Sequence, residues 1–244
     1  MVRLSDRMNR IAGMVTPGKV MADIGCDHGL ISVYLIEENV CPRVIAMDIG
    51  EGPLASAKKS IAEHLGEEAD KITLRISDGF KELKSGETEG AIIAGMGGML
   101  IISILENGLH NADTPVITPG YELVLSPQSD IYLVRKFLRE NGFLIIDEDM
   151  LIEDGKYYNI IKAVYNDVLA ESVDKDTEMI YDSFGRILIE KRSPVLLGFL
   201  ERELGRKETL FCRLSKSTSE SSVERLGELR EEVTMITGAL EMIR

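Results

Sequence analysis

The 244-residue sequence has no tryptophan, and aromatic residues make up only 5% of it. Cysteine is scarce too. Cys26, Cys41 and Cys212 are odd in number, widely spaced and without a CxxC pair. That excludes a disulfide framework or a thiolate metal knuckle and suits reduced thiols in a cytoplasmic protein. No apolar run approaches the ~20 residues of a membrane span. The mixed charges and apolar residues of Met1 to Ile11 are not those of a signal peptide. Positive charge is also in deficit. Lys and Arg number 28 against 41 Asp and Glu, for a net charge of −13. A uniformly basic nucleic-acid surface is thereby excluded, although a local basic patch is not. With 44% hydrophobic and 28% charged residues the chain is that of a folded protein.

Short apolar runs punctuate residues 1–165. They are Val20 to Ile24, Val44 to Met47, Ile72/Leu74/Ile76, Ala91 to Ala94 and Leu123 to Leu125. Such runs suit parallel strands buried on both faces. Helical stripes lie between them, among them Leu54/Ala57/Ile61/Leu65 behind Pro53, and Ile131/Val134/Phe137/Leu138. The alternation predicts an α/β, doubly wound parallel sheet. Two further strands, about 143–152 and 157–165, flank Glu153-Asp154-Gly155-Lys156 and predict a closing antiparallel pair. An N-terminal helix precedes the sheet, capped by Ser5 and ended by Thr16-Pro17-Gly18.

The pattern changes after Tyr165. Asp167 to Glu178 is polar and acidic and is expected to be a linker. Leu197, Leu200, Leu204, Lys207, Phe211 and Leu214 then recur at 3-4 spacing, as do Leu226, Leu229, Val233, Ile236, Leu240 and Ile243. Two such seams around the Ser215 to Ser222 run predict an antiparallel coiled-coil hairpin, with Lys207 fixing register. Two ordinary amphipathic helices are the alternative. The expected division is residues 1–165 and residues 166–244.

Candidate site residues follow strand ends, where ligands bind open α/β sheets. Asp23-Ile24-Gly25-Cys26-Asp27-His28-Gly29 follows the first run. Asp27 between its glycines is a poor neighbour for a pyrophosphate but suits a cationic ligand such as S-adenosylmethionine. A tight turn without ligand would have the same form. Asp48, ending the second run, can accept both hydroxyls of a ribose or can cap a helix. Asp78, in Ser77-Asp78-Gly79, can accept an adenine amino group. Gly95-Met96-Gly97-Gly98 offers backbone to two ligands or forms a flexible turn. Asp147-Glu148-Asp149 is expected to be a solvated strand end, not a metal site, because alternate residues face apart.

Together these stretches resemble the seven-stranded, Rossmann-like class I methyltransferases. More narrowly, the sequence is similar to the bacterial tRNA (adenine(22)-N1)-methyltransferase family. The matching stretches are Leu4-Ser5-Asp6-Arg7, Ala22 to His28, Gly52-Pro53-Leu54, Ile93 to Gly98 and Leu125-Ser126-Pro127-Gln128. The resemblance implies S-adenosylmethionine as methyl donor and a tRNA adenine as acceptor. It implies cofactor contacts at Asp23, Gly25, Cys26, Asp27, Asp48, Ile49, Asp78, Gly79, Gly95 and Met96. Asp27 and His28 are the catalytic candidates, the first to position the methionine end of the cofactor or the target base. Cys26 stands where the family has a small hydroxyl residue, and Leu30 where it commonly has an aromatic. His64 and His110 are assigned no role.

An RNA substrate needs positive charge. Met1 to Lys19 has four basic residues against one acidic, and Arg186 to Lys216 has eight against four. These stretches are the expected footprint, with Arg7, Gly97, Gly98, Arg202 and Arg206 as substrate contacts. A monomer or weak dimer, with no membrane and no metal, is expected. The other readings are a methyltransferase for a small molecule or protein, a nicotinamide-dependent oxidoreductase, and a non-enzymatic coiled-coil adaptor.

Overall fold

A computed structural model describes residues 2–110, 114–168, 173–215 and 220–244, with no side-chain account at 220–222. It divides into two compact units, Met1–Ala170 and Glu171–Arg244.

The first unit is built on strands β1 (Met21–Ile24), β2 (Val44–Asp48), β3 (Ile72–Ile76), β4 (Gly90–Ala94), β5 (Glu122–Ser126), β6 (Phe143–Glu153) and β7 (Lys156–Tyr165). They form one sheet in the order β3-β2-β1-β4-β5-β7-β6. The first five strands are parallel. Every residue of β1 and β5 is buried, because helices cover both faces. Helices α1 (Asp6–Gly13), α2 (Leu30–Glu37) and α3 (Glu51–His64) share one apolar cluster, while α4 (Gly98–His110) and α5 (Ile131–Glu140) share the other. The order reverses at β1, which lies between β2 and β4, so a crevice opens at the C-terminal ends of β1 and β4.

The last two strands close the sheet antiparallel, as expected. Their two-residue turn holds Asp154 at φ 49° and Gly155 at φ 73°. Both are left-handed, as the hairpin turn that follows strand twist requires. The N-terminal helix starts where Ser5 predicts, with its hydroxyl accepting from Met8 N–H at 3.4 Å. It ends at Gly13, earlier than the Thr16-Pro17-Gly18 boundary, yet Val15 beyond it is still buried.

The second unit holds α6 (Lys175–Phe184), α7 (Arg186–Glu190), α8 (Pro194–Leu214) and α9 (Glu220–Ile243). Its start corrects the linker expectation, since α6 begins inside the acidic stretch. Asp174 caps it, accepting from Thr177 N–H at 3.0 Å, and Asp176 and Glu178 sit in the first turn, where the helix dipole favours anions. Acidity there marks a helix start and not a solvated linker. The 3-4 seams bury Leu200, Leu229, Ile236, Leu240 and Ile243. Arg244 meets Glu201, and Lys207 meets Glu232, so α8 and α9 run antiparallel. Lys207, the polar seam position, is thus an ion-paired one. The hairpin is not bare, because α6 and α7 both pack on α9. Ser215 ends the described part of the serine run, and residues 216–219 lie outside the described residues.

Candidate cofactor site

The loop after β1 is shaped by alternating left-handed residues: Gly25 (φ 75°), Asp27 (φ 49°) and Gly29 (φ 66°). Only glycine takes this conformation freely, and Asp tolerates it better than most residues. Gly25 and Cys26 both donate their N–H groups to the Met47 carbonyl, at 2.8 and 3.0 Å, and Gly29 donates to the Cys26 carbonyl at 2.7 Å. These N–H groups are satisfied within the protein. They are therefore not available to cradle a phosphate. Gly29 also admits α3, since a Cβ there would stand 3.0 Å from the Ala57 Cβ.

A cavity of about 430 Å³ opens over this loop. Asp23, Gly25, Cys26 and Asp27 form one wall, Asp48 a second, and Ala94, Gly95 and Met96 a third. Helix α1 contributes Arg7, Met8 and Ile11, α2 contributes Ile31, and the loop after β5 contributes Gln128. Asp23 is only 5% exposed. Its Oδ2 accepts from the Ser32 hydroxyl at 2.6 Å. Burial still pushes its carboxyl up to about 6, and the nearby Asp48 carboxylate pushes the same way. Burial, helped by Asp23 and Asp48, also drives the Cys26 thiol upward, so it stays protonated. Three carboxylates around satisfied backbone donors fit a cationic ligand and not a pyrophosphate.

Among the sequence-predicted cofactor residues, Asp23, Gly25, Cys26, Asp27, Asp48, Gly95 and Met96 meet in this cavity. The others stand off its lining. His28 is exposed, with Nε2 3.7 Å from Asp27 Oδ2. Ile49 follows Asp48 directly and is 74% exposed. Asp78 is exposed and paired with Lys81 Nζ at 2.6 Å. Gly79 gives room to α4, for its Cβ would stand 3.1 Å from Ile104.

Among the expected substrate contacts, Gly98, Gly97 and Arg7 are engaged within the fold. Gly98 is not an open wall. A Cβ there would lie 2.5 Å from the Ser129 carbonyl oxygen and 2.9 Å from that of Asp130. Its N–H donates to Ser129 O at 3.1 Å. Gly98 therefore lets α4 pack against the β5–α5 loop, and Gly97 faces the Ser129 hydroxyl there. Arg7 is not a free phosphate contact either. It forms an ion pair with Glu153 at 3.9 Å and stacks on the Tyr158 ring at 4.7 Å. Arg10 pairs with Asp149 at 2.6 Å and Lys19 with Glu122 at 3.3 Å. Three of the four N-terminal cations thus meet sheet carboxylates more than 100 residues away. Arg202 and Arg206 lie in the second unit on α8, exposed, and both reach Glu203.

Gln128, Met8, Ile11, Ile31 and Ala94 also line the cavity, beyond the expected site residues. Gln128 has a signal: it is polar and follows the Ser126-Pro127 end of a strand. The three α1 and α2 residues have none, because an apolar helix position looks the same over a cavity as over a core. Asp147-Glu148-Asp149 is not a solvated end. Glu148 is buried and accepts from Arg135 Nε at 2.7 Å. Among the described residues no His, Cys, Asp and Glu group could hold a metal ion.

Comparison with known proteins gives the same architecture. A family model described as a methyltransferase domain matches residues 4–161. The tRNA (adenine(22)-N(1))-methyltransferase of Bacillus subtilis strain 168 is 30% identical, covering 98% of this chain and 98% of its own. The crystal structure of the B. subtilis M1A22 tRNA methyltransferase TrmK superposes with a TM-score of 0.82 at 28% identity, over 98% of this chain and 100% of that one. A Streptococcus pneumoniae protein assigned as a tRNA (m1A22) methyltransferase, solved with S-adenosyl-L-methionine, has a TM-score of 0.79 at 28% identity, with 98% and 100% covered. With a seven-stranded sheet, the carboxylate-lined crevice at its reversal point and an end-to-end match of sequence, this chain belongs to the tRNA (adenine(22)-N1)-methyltransferase family.

Proposed function

We propose that this chain transfers a methyl group from S-adenosylmethionine to N1 of adenine 22 in tRNA, the activity by which its B. subtilis relative is named. The observation that carries the reading is the 430 Å³ cavity lined by Asp23, Asp27 and Asp48, over a loop whose Gly25, Cys26 and Gly29 N–H groups are already satisfied. Asp48 would accept the ribose hydroxyls. Ile49 offers an exposed apolar face to the cofactor's adenine. Asp78 stands at the end of the neighbouring strand, where it would accept the adenine amino group. Its exposed pair with Lys81 costs little to break. Asp23 and Asp27 would face the positive charges of the methionine end.

S-adenosylmethionine supplies an electrophilic methyl on a sulfonium. Adenine N1 carries an in-plane lone pair and is neutral at pH 7, so the protein needs no general base. The residues after β4, Gly95-Met96-Gly97-Gly98, hold no side-chain proton acceptor, which suits a ring nitrogen better than an exocyclic amine. The work left to the protein is alignment and exclusion of water. The target adenine must leave its stack to reach the cavity.

The exposed cations of α8, Arg202 and Arg206, are the better part of the RNA footprint, because their pairs with Glu203 are local and solvated. Among the described residues no helix is long and apolar enough to cross a membrane. The proposed setting is the cytoplasm, and the proposed assembly a monomer or weak dimer. The test is incubation with labelled S-adenosylmethionine and unmodified tRNA, followed by primer extension. A methyl on N1 blocks the pairing edge, so a stop at adenine 22 supports the reading. Label on another RNA position, on protein or nowhere removes it.

A further inference from the structure

A second cavity, of about 360 Å³, lies beside the first. It is lined by Gln128, Lys156, Tyr157 and Tyr158. Its size falls within the ~300–1,000 Å³ of small-ligand sites. The register of the sheet explains its place. Leu125 of β5 opposes Ile161 of β7, and β5 ends at Ser126. Residues 156–159 therefore run on past the C-terminal end of β5, by roughly 13 Å at ~3.3 Å per residue. The tip of the β6–β7 hairpin becomes a wall on the ligand edge of the sheet.

The two cavities are neighbours. Gln128 lines both. Arg7 lines the first and its guanidinium lies 4.7 Å from the ring of Tyr158, which lines the second. Arg7 Nε is buried without a hydrogen-bond partner at this junction. The Gln128 amide nitrogen lies over Gly95, 3.9 Å from where a Cβ would be. The tip is held from below. Arg135 donates from Nη2 to Asn159 Oδ1 at 3.1 Å, and all of Arg135, Glu148 and Asn159 are buried. Such a site needs no folding on binding.

Resting on the methyl-transfer reading above, we infer that this second cavity receives the flipped target adenine, with Tyr157 as its stacking wall and Gln128 as the reader of its edge. The chemistry of the lining matches that ligand. A glutamine amide pairs with adenine at N6 and N7, donating to one and accepting from the other. Bonding on that edge leaves N1 free to be methylated. Guanine presents two acceptors there and cannot satisfy the amide. Tyr157 precedes Tyr158 on β7 and brings its ring to the same lining. Lys156 supplies a cation for a flanking phosphate.

The absence of tryptophan makes a direct test available. The variant Tyr157→Trp has a single indole, at the proposed stacking wall. With S-adenosylhomocysteine bound, adenosine monophosphate should quench its emission and guanosine monophosphate should not. Unmodified tRNA should quench it, and tRNA with guanine at position 22 should not. In parallel, Tyr157→Ala should keep S-adenosylhomocysteine affinity within threefold. Its kcat/KM for tRNA should fall about 5- to 150-fold, the value of one stacked base. Tyr157→Phe should recover most of that loss. Absence of quenching, equal quenching by both nucleotides, wild-type turnover by Tyr157→Ala, or loss of cofactor binding in that variant overturns the pocket. If the wild-type chain binds S-adenosylhomocysteine but methylates no tRNA, the functional reading fails instead. Selective quenching by adenosine monophosphate would then still support an adenine site.

Discussion

Arg135 on α5 donates from Nε to Glu148 Oε1 on β6 at 2.7 Å, and neither side chain exposes more than 3% of its surface. A buried pair adds little net stability over apolar packing, but removal of one partner strands the other charge. Glu148→Ala should therefore cost about 3–5 kcal/mol. Replacing both residues with apolar ones of similar volume, Arg135→Met with Glu148→Leu, should recover only part of that loss, because the buried Asn159 Oδ1 loses its Arg135 donor. Urea denaturation of the two variants beside the wild type measures it.

Asp23 gives a pH-dependent prediction. Its folded carboxyl is raised to about 6 from the ordinary 3.8, chiefly by burial. A raised group favours its protonated form in the fold. Its contribution is present below about 3.8 and is lost as pH rises through about 6. At neutral pH the ionised Asp23 is thus a liability of up to about 3 kcal/mol, from about two pH units at 1.36 each. Asp23→Asn should raise the melting temperature of the ligand-free protein at pH 8, and the gain should shrink toward pH 4. The same variant should bind S-adenosylmethionine at least about tenfold more weakly, for want of an anion. Thermal scans across pH and a binding titration give both readouts.

Gly98→Ala should destabilise by roughly 1–3 kcal/mol, because its methyl would meet two backbone carbonyls that cannot rotate away. Gly97→Ala should cost less than about 1 kcal/mol, since the Ser129 hydroxyl 3.2 Å from its Cβ can turn aside. Comparison of melting temperatures separates the two glycines.

Arg202→Ala combined with Arg206→Ala should weaken tRNA binding. The slope of log K against log salt should flatten by about 1.5–2, because two phosphates are no longer neutralised. Affinity for S-adenosylmethionine should not change. Filter binding across a salt series tests this, and an unchanged slope removes both residues from the footprint.

The legible parts of the sequence are those whose cause is local. Asp23-Ile24-Gly25-Cys26-Asp27 reads as a strand end and a tight turn because glycine spacing and apolar runs act over a few residues. Asp48 is legible for the same reason. Arg7 is not, because its ion-pair partner Glu153 lies 146 residues on. A count of charges treats Arg7, Arg10 and Lys19 as free, whereas folding assigns each a carboxylate. Gly97 and Gly98 are identical as letters, and only the approach of Ser129 and Asp130 distinguishes them. Glu148 sits in an acidic triplet and looks solvated until Arg135 arrives from another element. Gln128 carries the same lesson, since its value comes from standing where two cavities meet.

The position of β7 between β5 and β6 constrains how the chain comes to be folded on the ribosome. The strand that completes the sheet is the last one synthesised, and β6 has no neighbour until β7 emerges. Until residue 165 is made, β5 presents a bare edge whose Leu123, Val124 and Leu125 are wholly buried in the finished protein. A nascent chain paused before that point, or a fragment ending there, would carry an unpaired apolar strand ready to join another chain. Solubility of the first unit should therefore appear abruptly with the arrival of Lys156–Tyr165 and not gradually with length.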